Sequence, residues 1–143
     1  MTKEVSIAKA FDIYLNCKPK KDGDFSLNDF FKFDKNKNIQ VLTEYNGIAV
    51  YSSVEEESEL YFLGIEEHKK NIGYGARLLQ KVITDSKALG AKAIFIEVNE
   101  LNKVAIKLYV KCGFKKYGVR KNYYKNALNS FDDAVLMKLQ LQS

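Results

Sequence analysis

The residues that could do chemistry occur in one ordered run in the second half of the chain. A glycine-rich turn, Lys70-Asn71-Ile72-Gly73-Tyr74-Gly75-Ala76, comes first, and a carboxylate at Glu97 and a hydroxyl at Tyr109 follow it. Backbone N–H groups at the start of a helix have no partner within the helix, and the helix dipole favours negative charge there. The run therefore predicts an anion-binding turn with a candidate proton acceptor and a candidate proton donor behind it.

Each of these signals also has a purely structural interpretation. Gly73 and Gly75 would let an anion approach the backbone closely, but a Gly-x-Gly turn also begins ordinary helices. Glu97 could end its strand with a structural hydrogen bond, and Tyr109 could pack in a core. Tyr109 lies about two turns after Asn102, on nearly the same helix face. Asn102 is a good helix cap, so it could serve both the helix and a ligand.

The elements that must position these residues follow from the spacing of apolar side chains. Helical spacing runs up to about Asn38, with Ser26 as the cap of a short second helix, and residues 5–7 fit either a strand or a helix. Three strand-like stretches come next, and Asn46-Gly47 predicts a tight hairpin between the first two. These stretches are 39–44, 48–54 and 60–65. The first half therefore predicts an antiparallel meander.

The period changes to that of a helix after the glycine-rich turn. The predicted elements are a helix that stops at Gly90, a strand over 93–98, a helix from Asn102 to a stop at Gly113, and strands over 114–120 and 134–141. Alternation of strands and helices after a meander predicts an α/β fold with a mixed, mostly antiparallel sheet covered by helices on both faces.

Length and composition set the class of protein. With 143 residues, 46% of them hydrophobic, we expect one domain over 1–143. No apolar run suits a membrane span or a signal peptide, so we expect a cytoplasmic protein without membrane contact. Cys17 and Cys112 lack metal-ligand spacing and suit reduced thiols, and His68 is the single histidine. We therefore expect no metal site.

The net charge of +5 is unevenly distributed. Six cations in one stretch have no acid between them: Lys111, Lys115, Lys116, Arg120, Lys121 and Lys125. Aromatic residues interleave them and would suit stacking on bases, but aromatics in strands also pack cores. The stretch therefore predicts either a solvated face or contact with phosphate, RNA or the ribosome.

Three motifs carry a family resemblance. The glycine-rich turn resembles the signature Gln/Arg-x-x-Gly-x-Gly/Ala, with Lys70 in first place. Residues 102–114 match Asn-x-x-Ala-Ile-x-Leu-Tyr-x-x-x-Gly-Phe throughout, and Arg120, Tyr123 and Tyr124 followed by Asp132-Asp133 match an Arg-x-x-Tyr-Tyr ending with its acidic residue. From about residue 60 onward the chain resembles the GNAT acetyltransferase superfamily and, within it, the bacterial ribosomal-protein-alanine N-acetyltransferase family.

The resemblance implies the GNAT fold, in which two neighbouring strands splay, and acetyl-CoA as the co-substrate. Backbone groups near Leu63 and Ile65 would then run along the pantetheine arm. The residues implied in acetyl-CoA binding are Leu63, Ile65, Lys70, Asn71, Ile72, Gly73, Tyr74, Gly75, Ala76 and Asn102.

The resemblance also implies roles in acyl transfer. Glu97 aligns with the general base and Tyr109 with the general acid, while Arg120, Tyr123 and Tyr124 border the acceptor cleft. An α-amino group, with a pKa of about 7.7 to 8.0, is easier to deprotonate than a lysine at about 10.4, which favours a protein N-terminus, such as that of a ribosomal protein, as the acceptor. The alternatives are a small-molecule amine, an aminoacyl-tRNA, or a noncatalytic module that binds CoA or RNA.

Overall fold

The computed structural model describes residues 3–17 and 24–141, which form four α-helices and one six-stranded sheet. The helices are α1 (Lys3–Cys17), α2 (Leu27–Lys35), α3 (Tyr74–Ala88) and α4 (Lys103–Lys111), and the strands are β1 (Ile39–Glu44), β2 (Gly47–Val54), β3 (Glu57–Ile65), β4 (Ala93–Asn99), β5 (Lys115–Lys125) and β6 (Phe131–Gln140). Within the described ranges, no helix is long and apolar enough to cross a membrane.

The first two helices form as the sequence predicts, and residues 5–7 belong to α1. Ser26 begins α2 with a reciprocal cap: its hydroxyl accepts the Asp29 N–H at 3.1 Å, and the Asp29 carboxylate accepts the Ser26 N–H at 2.8 Å. Tyr14 of α1 and Phe30 of α2 are buried against β2. These aromatic residues belong to a core that holds α1 and α2 against one face of the sheet.

The predicted hairpin between β1 and β2 is confirmed, but its turn lies one residue earlier than predicted. Tyr45 and Asn46 occupy the two central positions with φ of 56° and 55°, and Glu44 pairs with Gly47. Gly47 is therefore the first residue of β2. A side chain there would overlap the Gly64 carbonyl on β3, so close packing of the strands requires this glycine.

The sheet order is β1-β2-β3-β4-β6-β5, and the single parallel pair in it is β3 with β4. That pairing covers only residues 57–60 against 93–96; residues 61–65 of β3 and 97–99 of β4 do not pair with each other. The predicted mixed sheet with a splayed strand pair is confirmed. Because the pairing with β4 begins at Glu57, β3 starts earlier than the predicted 60–65.

The two sheet faces carry separate cores. Successive residues of β2 alternate, with Ala49 and Tyr51 in the core under α3 and α4, and Ile48 and Val50 in the core under α1 and α2. The predicted helices on both faces are therefore confirmed.

Candidate active site

The glycine-rich turn ends in an open helix N-terminus. Gly73 has a φ of 88° and directly precedes α3, which has no side-chain cap. The first bond across this end runs from the Arg77 N–H to the Gly73 carbonyl at 3.3 Å. The N–H groups of Tyr74, Gly75 and Ala76 consequently have no acceptor within the helix, as an anion-binding turn requires.

The two glycines of the turn have different surroundings. A Cβ at Gly73 would meet no heavy atom within 4 Å, whereas a Cβ at Gly75 would lie 3.5 Å from Leu108 of α4 and 4.0 Å from Ile65 of β3. Only Gly73 of this pair uses a left-handed conformation. The space in front of Gly73 is therefore open, whereas a Cβ at Gly75 would make ordinary van der Waals contact with α4 and β3.

The remaining residues of the turn are placed by local contacts. Asn71 also has a left-handed backbone, with φ of 67°. Lys70 forms an ion pair with Glu67 at 2.7 Å, and the Tyr74 ring lies against Tyr45 with centroids 6.1 Å apart. Ile72 is exposed. Side-chain contacts therefore flank Gly73 on both sides, at Lys70 and at Tyr74.

The splayed segment of β3 lies beside this turn. Leu63 and Ile65 pair with β2, and both lie beyond Leu60, where pairing with β4 ends. Asn102 caps α4, since its side-chain oxygen accepts the Ala105 N–H at 3.2 Å. Gly75 of α3 lies close to Ile65 of this segment and to Leu108 of α4.

Glu97, the predicted base, lies where β4 separates from β3. Its side chain is 25% exposed, and its Oε1 lies 3.0 Å from Nη2 of Arg120 on β5. Glu97 pairs with Leu136 of β6, and Arg120 pairs with the nearby Ala134. The intervening strand β6 therefore brings the two charges together across the sheet.

The predicted acceptor residues form one continuous group with Glu97. The Arg120 guanidinium carbon lies 4.8 Å from the centroid of the Tyr123 ring, and the rings of Tyr123 and Tyr124 meet edge to face at 4.9 Å. Burial, followed by the negative charge of Glu97, raises the pKa of Tyr124 to about 12. Tyr124 therefore keeps its proton at neutral pH.

Tyr109, the predicted acid, is buried on α4 with 4% of its surface exposed, and its ring packs against Phe114 with centroids 5.7 Å apart. Burial raises its pKa, and the neighbouring Tyr124 adds to the effect. Tyr124 therefore interacts electrostatically with both the candidate base, Glu97, and the candidate acid, Tyr109.

Strand β5 is longer than the predicted 114–120, and Tyr123 and Tyr124 lie within it. The pairing of β5 with β6 shifts between Arg120 and Tyr124, so that residues 121–123 of β5 face only Asp133 of β6. We call residues 121–123 the β5 bulge. The bulge keeps the two strands paired beyond the point where the sequence predicts β5 to end.

Asp133 holds the β5 bulge, a role that the sequence does not reveal, although the Asp132-Asp133 pair is part of the recognised motif. Its carboxylate accepts the Asn122 N–H at 2.9 Å and lies 3.2 Å from Nζ of Lys121. The Asn122 hydrogen bond lowers the pKa of the Asp133 carboxyl. The Asp133 carbonyl also accepts the Glu100 N–H at 3.0 Å, which ties the end of β4 to the bulge.

The six cations of residues 111–125 differ in their contacts. Arg120 and Lys121 have the ion pairs described above, and Phe114 is buried. Tyr117 is 55% exposed and packs edge to face on Phe95 with centroids 6.0 Å apart. The other four cations, Lys111, Lys115, Lys116 and Lys125, have exposed side chains. Contact of this stretch with RNA or the ribosome stays a prediction.

Comparison with known proteins places this geometry in a family. The model of the acetyltransferase (GNAT) family matches residues 7–114. Two curated relatives, each named [Ribosomal protein bS18]-alanine N-acetyltransferase, are 33% identical over 93 residues in Haemophilus ducreyi and 29% identical over 93 residues in Escherichia coli K12. The matched segment covers 65% of this chain and 64% and 62% of the relatives, which is just under two thirds of their length.

Solved structures share the fold. The crystal structure of the Escherichia coli ribosomal-protein-S18-alanine N-acetyltransferase superposes with a TM-score of 0.85 at 22% identity and covers 100% of this chain and 92% of that chain. A Bacillus subtilis acetyltransferase in complex with CoA gives a TM-score of 0.72 at 21% identity over 94% of this chain and 93% of that chain. The resemblance seen in the sequence is confirmed, and the chain belongs to the acetyltransferase (GNAT) family.

Proposed function

We propose that this protein transfers an acetyl group from acetyl-CoA to the N-terminal α-amino group of a protein, with a ribosomal protein as the first candidate. One observation carries the proposal. At the point where β3 and β4 separate, Glu97 forms an ion pair with Arg120 and interacts electrostatically with Tyr124. The names of the curated relatives support the choice of acceptor. We further propose that residues 1–143 form one catalytic domain that works in the cytoplasm.

The turn and the splayed strands fit acetyl-CoA, which supplies an acetyl group activated as a thioester. The open N-terminus of α3 suits a pyrophosphate, and the space in front of Gly73 leaves room for it. Leu63 and Ile65 would offer backbone groups to the pantetheine arm, as in β-strand addition. The CoA complex of the Bacillus subtilis protein, which has the same fold, supports this assignment.

The attacking amine must be neutral, and the departing sulfur must be stabilised. Glu97 would accept the amine proton at its carboxylate, directly or through water. The Tyr109 hydroxyl keeps its proton at neutral pH, and burial raises its pKa further, so it would donate a hydrogen bond to the negative charge that develops on sulfur. Glu97 would thus accept a proton, and Tyr109 would stabilise the leaving group.

The cysteines support direct attack by the amine instead of an acyl-cysteine intermediate. Burial, followed by the charge of Glu66, raises the pKa of the Cys17 thiol to about 12, and burial also raises the pKa of Cys112. Both groups therefore remain thiols at neutral pH, whereas the thiolate is the nucleophilic form.

The deciding experiment is mass spectrometry of peptides incubated with the protein and acetyl-CoA. One peptide carries the N-terminus of ribosomal protein bS18 from the same organism. Its matched control has a blocked N-terminus and an internal lysine. We expect acetylation of the free α-amine and none of the control. Preferential acetylation of spermidine or of an aminoacyl-tRNA would favour those acceptors, and failure to release CoA with any amine would favour a noncatalytic module.

We call the glycine-rich turn and the open N-terminus of α3 the cradle, and we predict that Gly73→Asn in the cradle weakens binding of acetyl-CoA. Asparagine tolerates the left-handed backbone, so the turn persists, but its side chain would occupy the open space. We expect acetyl-CoA affinity in titration calorimetry to fall about tenfold, or about 1.4 kcal/mol. Gly90→Asn is the matched control, since Gly90 also has a left-handed backbone and open surroundings, at the other end of α3. Equal losses in both variants would reject the cradle.

We predict that Tyr124→Ala weakens binding of the peptide acceptor selectively. We expect KM for the peptide to rise about tenfold while KM for acetyl-CoA changes little, because only the acceptor would lose a contact. Tyr117→Ala on the same strand is the control, since the ring contact of Tyr117 is with Phe95. Steady-state kinetics with each substrate varied in turn measure both constants. An equal rise in both constants would remove Tyr124 from the acceptor side.

A further inference from the structure

We propose that Arg120 is a positioning residue for Glu97 and acts on the reaction through that carboxylate instead of through the acceptor. This inference rests on the proposed function, because it assigns a partner to the proposed base. The sequence resemblance implies only an acceptor-binding role for Arg120, so the two roles make different predictions.

The ion pair on its own would not hold the carboxylate firmly. Arg120 is 51% exposed and Glu97 is 25% exposed. Exposed pairs contribute little because water screens the charges and the long side chains lose conformational freedom. A positioning role therefore requires a second contact that restrains the guanidinium.

Tyr123 supplies that contact. The Arg120 guanidinium lies over its ring at 4.8 Å, within the range of a cation–π interaction. In a regular strand, residues three apart point to opposite faces of the sheet. Arg120 and Tyr123 can meet because the β5 bulge lies between Arg120 and Tyr124, with Asn122 at a φ of 52°.

The bulge is itself held to the strand of the base. The Asp133 carboxylate accepts the Asn122 N–H, and the Asp133 carbonyl accepts the N–H of Glu100, three residues after Glu97. One residue of β6 thus sets the conformation of β5 next to Arg120 and anchors the end of β4. The chain of contacts runs from Asp133 through the bulge and Tyr123 to Arg120, and then to one oxygen of Glu97.

Arg120 contacts Oε1 of Glu97. The other carboxylate oxygen, Oε2, is left for an amine or a bridging water. The charged and titratable groups facing Glu97 are Arg120 and Tyr124 from β5. On β6, Leu136 pairs with Glu97. Arg120 is therefore the cation whose removal would release the Glu97 carboxylate from its contact.

A double-mutant cycle separates positioning from acceptor binding. We expect Arg120→Gln to lower kcat about tenfold in the wild-type protein, and to cause no further loss in the Glu97→Gln background. KM for the peptide should change little, because the loss lies in the positioning of the base. Arg120→Lys keeps the positive charge and should recover part of the lost kcat. Lys116→Gln removes an exposed cation from the same strand and should leave kcat unchanged.

Two outcomes overturn the inference. If Arg120→Gln raises KM for the peptide by the same factor in both backgrounds and leaves kcat unchanged, Arg120 acts on the acceptor. A second measurement is independent of turnover: ¹³C relaxation of the Glu97 side chain in the substrate-free protein should show greater mobility in Arg120→Gln than in the wild type. Unchanged mobility contradicts the inference even if no peptide is acetylated, whereas absence of acetylation with raised mobility rejects the proposed function alone.

Discussion

Glu97→Gln is expected to lower kcat for acetylation of a peptide amine by about 10²-fold to 10³-fold, the usual contribution of a positioned base. The amide keeps the size of the side chain and a hydrogen-bond acceptor for Arg120, but it cannot take up the amine proton. Because Glu97 faces the acceptor residues, KM for acetyl-CoA should change little. Initial rates with both substrates saturating measure the effect.

The dependence of the rate on pH tests the role of Glu97 as a base more directly. The wild-type rate should fall at acid pH as the base and the amine take up protons, and the variant should lack the part that belongs to the base. Glu59→Gln changes an exposed glutamate of β3 and serves as the control. A Glu97→Gln protein with wild-type kcat and an unaltered profile would show that the amine reaches the reaction without this base.

Tyr109→Phe is expected to slow turnover by about 10²-fold, because the variant removes the one hydroxyl that would face the departing sulfur. Phenylalanine keeps the ring that packs on Phe114, so the core should persist. Burial raises the pKa of Tyr109, and the phenol therefore stays protonated through the neutral range. The wild-type and variant profiles should accordingly run parallel between about pH 6 and 9.

Tyr51→Phe is the matched control for Tyr109. Tyr51 is another buried tyrosine, and its hydroxyl contacts Asp85 of α3 at 3.4 Å, on the helix that also begins at the cradle. The control should lose some thermal stability and keep its turnover. If Tyr51→Phe and Tyr109→Phe slow the reaction equally, the effect of Tyr109 comes from packing and not from proton donation.

Local signals in the sequence predicted the elements around the site. Ser26 and Asn102 cap helices through bonds within three residues, and Gly90 and Gly113 stop helices through their own backbone conformation. Such features depend on a few neighbouring residues, so a single sequence reveals them. Pairing between distant strands cannot be predicted from a few neighbouring residues. The predicted start of β3 and the predicted end of β5 were therefore wrong by several residues.

The residue types of the site and their order are visible in the sequence alone: a glycine-rich turn at Gly73, a carboxylate at Glu97 and a hydroxyl at Tyr109. The folded chain adds the contact between Arg120 and Glu97 and the role of Asp133 in shaping the β5 bulge. The sequence does not reveal these contacts because they cross between different strands of the sheet. Such contacts depend on sheet register, and a shift of one residue turns every side chain of a strand to the other face.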